Sequence, residues 1–162
     1  MPRFAPFLPA LLLTVAIAST GLAGKRDGLG KFEASYDGGY NINSPETQDG
    51  GASVVVVRSN RGGTAARILW KNTFYGNTGR RSIIRTIWLL RPDGTFVART
   101  IDPTRSGVAA TGTYTLANRR ITFAASSGDT SATGTVSLVG GGALSISLTV
   151  DTATIEFHGG RR

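Results

Sequence analysis

The sequence predicts an all-β protein, a single antiparallel up-and-down β-barrel of about 8–10 strands, with a β-sandwich as the alternative. Three observations lead there. Between Gly112 and Asp151, Leu144, Ile146, Leu148 and Val150 alternate with Ser145, Ser147, Thr149 and Asp151. A period of two puts the apolar set on one face of a strand and the polar set on the other. Ile121 and Phe123 flank Thr122, and Val136 and Leu138 flank Ser137, in the same way, as strands with one dry and one wet face do. Short runs of this kind follow one another along the chain, each closed by turn residues. A meander of such strands that closes on itself leaves no unpaired sheet edge.

The first residues read as an address. Arg3 supplies a positive charge, Phe4 to Ala18 is nearly continuous apolar sequence, and small residues surround a cleavage point after Ala23. This is the pattern of a secretory signal. Residues 1–23 are therefore expected to be removed and the protein to be secreted or periplasmic. The apolar run is short for a membrane span, which takes about 20 residues. Residues 24–35 (GKRDGLGKFEAS) mix charges with no clear period and are expected to form a flexible leader.

The barrel domain is expected over 36–160. Its strands are predicted at Tyr36–Tyr40, Ala52–Arg58, Ala65–Tyr75, Ser82–Arg91, Thr95–Ile101, Val108–Leu116, Arg120–Ser126, Ala132–Val139, Ala143–Val150 and Thr154–His158. The segment from Ser82 is apolar on both faces, and its three isoleucines favour strand over helix. Turn chemistry separates the runs at Gly76–Gly79, Pro92–Gly94, Asp102 and Pro103, Ala117 and Asn118, Ser127–Asp129 and Gly140–Gly142.

Gly38 and Tyr40 in the first strand form Gly-x-Tyr, which is similar to the Gly-x-Trp that opens the lipocalins, members of the calycin-type barrels. With the up-and-down strand order, this makes the chain lipocalin-like in outline. The resemblance implies a small apolar ligand held inside the barrel.

Site chemistry is sparse. There are no cysteines, which excludes disulfides, thiolate metal sites and cysteine nucleophiles. His158 is the one histidine and falls on the polar register of its strand. A Ser-His-Asp triad would have to use it, and no nucleophile-elbow sequence is present. A histidine-cluster metal site is excluded for the same reason. The acids lie mostly in predicted turns, so the chain is read as non-enzymatic, with no catalytic residue, metal site or cofactor. The formal net charge is +8, nearly all of it from arginine, whose planar fork suits carboxylate and phosphate. Expected partners are a small amphiphilic or anionic ligand, an envelope protein or an anionic lipid surface. Nucleic acid is not expected, because no aromatic–basic surface pattern is recognisable. A membrane-spanning barrel is disfavoured, because aromatic girdles are lacking and the chain ends Gly-Gly-Arg-Arg.

Candidate ligand contacts are Trp70 and Trp88, on the two longest apolar strands, with Arg58, Arg61, Arg119 and Arg120. If the strands alternate in direction, the turns holding these four arginines share one end of the barrel. Glu46, Asp49, Asp102, Asp129 and Asp151 then fall at the other end with Arg80, Arg81 and Arg105, which leaves that end net acidic. A basic rim would concentrate anionic ligands. Ala98, Ala109 and Ala124 are expected to leave interior space if they face inward. The leading expectation is an exported, non-enzymatic binder of a small apolar, amphiphilic or anionic molecule. The alternative is a structural or protein-interaction module of the cell envelope without a ligand pocket.

Overall fold

The computed structural model describes residues 28–45, 48–59, 64–75, 79, 81–101, 106–128, 133–150 and 153–162. The expected signal segment, residues 1–23, lies outside them. Ten strands appear among the described residues: β1 (Ala34–Asn43), β2 (Gln48–Ser59), β3 (Ala66–Tyr75), β4 (Arg81–Leu90), β5 (Thr95–Ile101), β6 (Ser106–Ala117), β7 (Arg120–Gly128), β8 (Thr133–Leu138), β9 (Leu144–Val150) and β10 (Ala153–Arg161). Each pairs antiparallel with its sequence neighbour, and β10 pairs with β1, so the sheet closes as an up-and-down barrel. The sandwich alternative is thereby set aside.

Closure brings Tyr36 opposite Arg161, Gly38 opposite Gly159 and Tyr40 opposite Phe157. The seam needs its glycines. A Cβ on Gly38 would run into the carbonyl of His158, and one on Gly159 into the ring of Phe157. A strand interior accepts glycine where another backbone approaches closely. Gly38 and Tyr40, the two residues of the Gly-x-Tyr signature, thus have separate physical tasks: one admits the neighbouring strand and the other fills the interior.

The alternation seen in the sequence is the inside–outside alternation of the wall. Leu144, Ile146 and Leu148 are buried, while Thr135, Ser137, Ser145 and Ser147 stand on the opposite face. The interior joins Tyr36, Tyr40, Val55, Val57, Ile68, Trp70, Trp88, Leu90, Phe96, Tyr114, Ile121, Phe123, Val136 and Phe157 in one buried cluster with the β9 row. Two bulges break the period. The β5–β6 register shifts between Ala98 and Arg99, and the β6–β7 register shifts between Thr111 and Gly112. Of the three alanines expected inside, only Ala98 is buried there. The first shift skips Ala109 and brings Ala110 inward, and Ala124 is exposed.

Alternate connections share an end. At one end sit the start of β1, the β4–β5, β6–β7 and β8–β9 turns and the C-terminus. This end is sealed from below. Residues 28–30 form a helical turn, and Leu29 and Phe32 are fully buried in the core. Tyr36 Oη donates to the Phe32 carbonyl at 2.8 Å, Ser59 Oγ donates to the Glu33 carboxylate at 2.5 Å, and Arg161 donates to the Glu33 carbonyl at 2.6 Å. The described part of the expected leader is therefore a plug. One turn carrying two apolar residues three apart is too short to show a period in the sequence.

Two consequences can be measured. Gly38→Ala should cost about 1–3 kcal/mol by forcing the seam apart, whereas Gly160→Ala, which meets open space, should change the denaturant midpoint little. Phe32→Ala should cost about 3–5 kcal/mol in the same unfolding experiment, a loss that a loosely attached leader would not produce.

Candidate functional site

Trp70 on β3 and Trp88 on β4 both point into the barrel and are each 2% exposed. Trp70 stands opposite Thr86, and Trp88 opposite Ile68, so the two indoles are diagonal neighbours across one strand pair. They stack with centroids 5.9 Å apart and planes 24° apart. Phe157 meets Trp70 edge-on at 6.2 Å. On the far side Phe123 lies 6.3 Å from Trp88, and Phe96 packs edge-on against Phe123 at 5.2 Å. The five rings form a belt from β10 across β3 and β4 to β7 and β5, which fills the middle of the lumen.

The belt has a polar side. Trp70 Nε1 donates to Ser53 Oγ at 2.6 Å, and Ser53 Oγ donates to Asn72 Oδ1 at 2.6 Å. This chain is buried, where an unmade hydrogen bond costs the full desolvation of the group. Trp88 Nε1 is also buried but makes no hydrogen bond.

Burial divides the interior into two halves. At the plugged end, inward-facing side chains such as Val57, Leu90, Phe96, Ile121 and Leu144 are at most 1% exposed. Toward the other end, the inward-facing positions Ile42, Ile84, Thr86, Thr100, Ala125 and Ile155 are only partly buried. Among the described residues that end is the less tightly filled one, its connections lying outside them, and beside it is a cleft of about 660 Å³ lined by Asn41, Ile42, Asn43, Asp49, Gly50, Thr154 and Glu156. The barrel is thus a cup with an aromatic floor and mixed apolar and hydroxyl walls, while Asn41, Asn43, Gly50, Thr154 and Glu156 stand on the outward register, so the cleft runs along the outer side of the rim. Nothing in the sequence marked this cup. Its residues come from six strands, and no local pattern in the sequence joins them.

The arginines lie elsewhere. Arg58, on the outer face of β2, donates to the Val57 carbonyl at 3.0 Å. Arg119 sits in the two-residue β6–β7 turn, where Asn118 and Arg119 have φ of 48° and 61°, as a type I′ hairpin requires. Arg120 donates to Ser137 Oγ at 3.2 Å. Arg61 lies outside the described residues. Up-and-down closure brings Arg58, Arg91, Arg119 and Arg120 to the plugged end, together with Arg161 and Arg162. A smaller cleft of about 340 Å³, lined by Gly28, Lys31, Leu116, Ala117, Asn118 and Arg119, opens there beside the plug. The tryptophans and the basic rim therefore do not form one site: the belt closes off the lumen, and the arginines project into solvent around its sealed end.

His158 is exposed on the outer face of β10, between Gly39 and Ser145. Among the described residues, no group of three His, Asp or Glu side chains could hold a metal ion. The tyrosines carry the perturbed titrations. Burial, reinforced by the charge of Asp49, pushes Tyr40 up to about 12. Burial also raises Tyr36, against a lowering by Arg161, and raises Tyr114 with help from Asp93. Asp93 is itself lowered, first by the Thr95 hydroxyl and then by the Thr95 N–H, which donate to it at 2.6 and 2.8 Å. The sequence matches no protein-family model and no curated protein.

The tyrosine shifts set a pH dependence. In the unfolded chain these phenols ionise near pH 10.0, whereas in the fold they hold their protons to higher pH. The unfolded state thus loses protons first, and stability falls as pH rises from about 10 toward 12. Denaturant midpoints measured across that range should decline, and Tyr40→Phe should make the decline shallower without changing its direction.

Proposed function

We propose that the protein is an exported, non-enzymatic barrel that takes a small amphiphilic molecule into its less tightly filled end. The observation that carries this reading is the asymmetry of the lumen. One end is plugged by Leu29 and Phe32, at 0% exposure. The other leaves the inward-facing Ile42, Ile84 and Ile155 partly accessible beside the 660 Å³ cleft. Ten strands enclose a wider interior than the eight that side chains readily fill, and the small inward residues Ala98, Ala110 and Ala125 enlarge it near the belt.

An apolar tail would rest on the belt face and the isoleucines, and a polar head would sit at the rim beside the inward-register Thr86, Thr100 and Asp49. The Asp49 carboxylate on the inward register of β2 favours an uncharged or cationic head over an anionic one near it, since a like charge would be repelled on entry. The unpaired Trp88 Nε1 supports a polar group deeper in the ligand, because a buried donor gains most from a partner that water does not supply. In this reading the chain is lipocalin-like in use as well as in topology, with Gly38 and Tyr40 serving the scaffold. The apolar interior and the hydroxyl-rich outer faces of β6–β10 support a barrel surrounded by water, since a membrane-spanning barrel has its apolar band outside. Among the described residues no helix is long and apolar enough to cross a membrane.

The test is a titration with N-phenyl-1-naphthylamine, an uncharged amphiphilic fluorophore, followed by its emission and by quenching of Trp70 and Trp88. Saturable binding is expected, weakened by about tenfold or more when Ala125→Trp fills the cup. No saturable binding, together with a bare protein mass in native mass spectrometry, would overturn this reading in favour of an envelope interaction module.

A further inference from the structure

The two halves of the barrel wall present different chemistry to solvent. Outward positions on β6–β10 carry mostly hydroxyls: Thr113, Thr115, Thr122, Thr135, Ser137, Ser145, Ser147, Thr149 and Thr154. The outward face of β2–β5 is built from cations and large aliphatic side chains. The pairing registers lay these out in three rows: Arg58, Arg67, Leu89 and Val97; then Val56, Leu69, Ile87 and Arg99; then Val54, Lys71, Arg85 and Ile101. The second row continues onto β6 at Val108, opposite Arg99. Ile101 and Val108 are 38% and 57% exposed. The other aliphatic members are half-buried, and Arg67, Arg85 and Arg99 are exposed.

Among the described residues, no carboxylate occupies an outward position on these four strands. Asp49, on β2, faces the lumen side at the less tightly filled end. The nearest carboxylate across the β1 edge, Asp37 opposite Val54, is paired with Arg162 at 2.9 Å. Cations also face one another directly: Arg58 stands opposite Arg67, and Lys71 opposite Arg85. Like charges at such positions disfavour the sheet, and nothing on this face offsets them. Among the described residues no carboxylate of the chain supplies the countercharge, which leaves the face able to take one from a partner.

We infer that the β2–β5 wall is a docking surface for an anionic phospholipid bilayer. The five cations match a negative headgroup layer. The interleaved Leu69, Ile87, Leu89, Val97, Ile101 and Val108 give apolar contact at the interface, which a hydrated soluble polyanion would not use. A second copy of this wall is excluded as the occupant, because it would set cation against cation. The face is independent of the cup: it lies on the outer surface and needs no ligand inside.

The experiment is co-sedimentation of the purified protein with vesicles of phosphatidylcholine alone or mixed with phosphatidylglycerol. Binding is expected only to the mixed vesicles, weakening as salt is raised. The triple variant Arg67→Glu, Arg85→Glu, Arg99→Glu should weaken it by about a hundredfold or more. The milder triple change to glutamine, with circular dichroism and a denaturant midpoint as checks on folding, should weaken it less and in the same direction. Arg119→Glu with Arg120→Glu, at the plugged end, should leave most of the binding intact. Ile101→Ser with Val108→Ser should weaken vesicle binding while leaving retention on a sulfated-polysaccharide column unchanged. Equal binding to phosphatidylcholine alone, no binding to mixed vesicles at low salt, loss through the Arg119 and Arg120 variant instead of the wall variant, or indifference to the Ile101 and Val108 changes would each overturn the inference.

Discussion

The pairing of β1 with β10 is the contact on which the rest of the barrel depends. It joins the first strand to the last over the stretch from Tyr36 opposite Arg161 to Asn43 opposite Thr154, and it is the least local contact in the chain. The chain has no cysteine to staple it. Backbone hydrogen bonds and the side chains packed beneath them hold it, and its glycines let the two backbones approach. The ends of the chain lock onto the same seam. The Arg162 N–H donates to the Ser35 carbonyl at 2.8 Å, and Arg161 reaches the Glu33 carbonyl. The Arg162–Asp37 ion pair is exposed and adds little by itself. Cyclic order turns nine marginal hairpins into one cooperative unit, because opening any seam would expose a sheet edge.

A closed sheet of ten strands encloses more volume than aliphatic side chains fill, and this protein meets the excess in two ways. Large rings cross the lumen, from Phe157 through the stacked tryptophans to Phe123 and Phe96, and the Leu29–Phe32 turn plugs one end. Below the belt the interior is dry. Above it the inward positions are a mixture of isoleucine, threonine and alanine, and burial falls. Ser53 lies at the change. It accepts from Trp70 and donates to Asn72, so the polar side of the belt is satisfied at Trp70 and left open at Trp88. The same packing that stabilises the fold therefore defines the floor of the cup.

The outer surface is divided as unevenly as the interior. Hydroxyl side chains on β6–β10 hydrate well and pair acceptably across strands, and they give no partner a charged or apolar hold. The β2–β5 wall combines both features and carries like charges at adjacent positions. Leu69, Ile87 and Leu89 are half-buried between strands that carry exposed Arg67, Arg85 and Arg99, the kind of surface over which long basic side chains can lay their stems while their heads stay in water.

Much of the scaffold is legible in the sequence, because period-two alternation and turn residues are local signals. Leu144, Ile146 and Leu148 announce an inward row wherever their strand pairs, and Pro92–Gly94 and Gly140–Gly142 end strands regardless of what lies next to them. Up-and-down order also follows from short connections, and with it the gathering of Arg58, Arg119 and Arg120 at one end. What the tertiary structure decided is non-local. The β5–β6 bulge at Ala109 let Val108 face out and Ala110 face in, since one extra residue reverses the face of what lies beyond it, whereas Ala124 faces out by plain alternation with Ile121 and Phe123. Closure turned Leu29 and Phe32 from an aperiodic leader into a plug. It also separated Trp70 and Trp88 from the basic rim, because a barrel wall puts inward and outward residues in different solvents however close they stand in sequence. The sequence by itself determined which segments are strands and which of their faces avoid water. Only the folded barrel decided which end is plugged, because that depends on contacts among segments far apart in the chain.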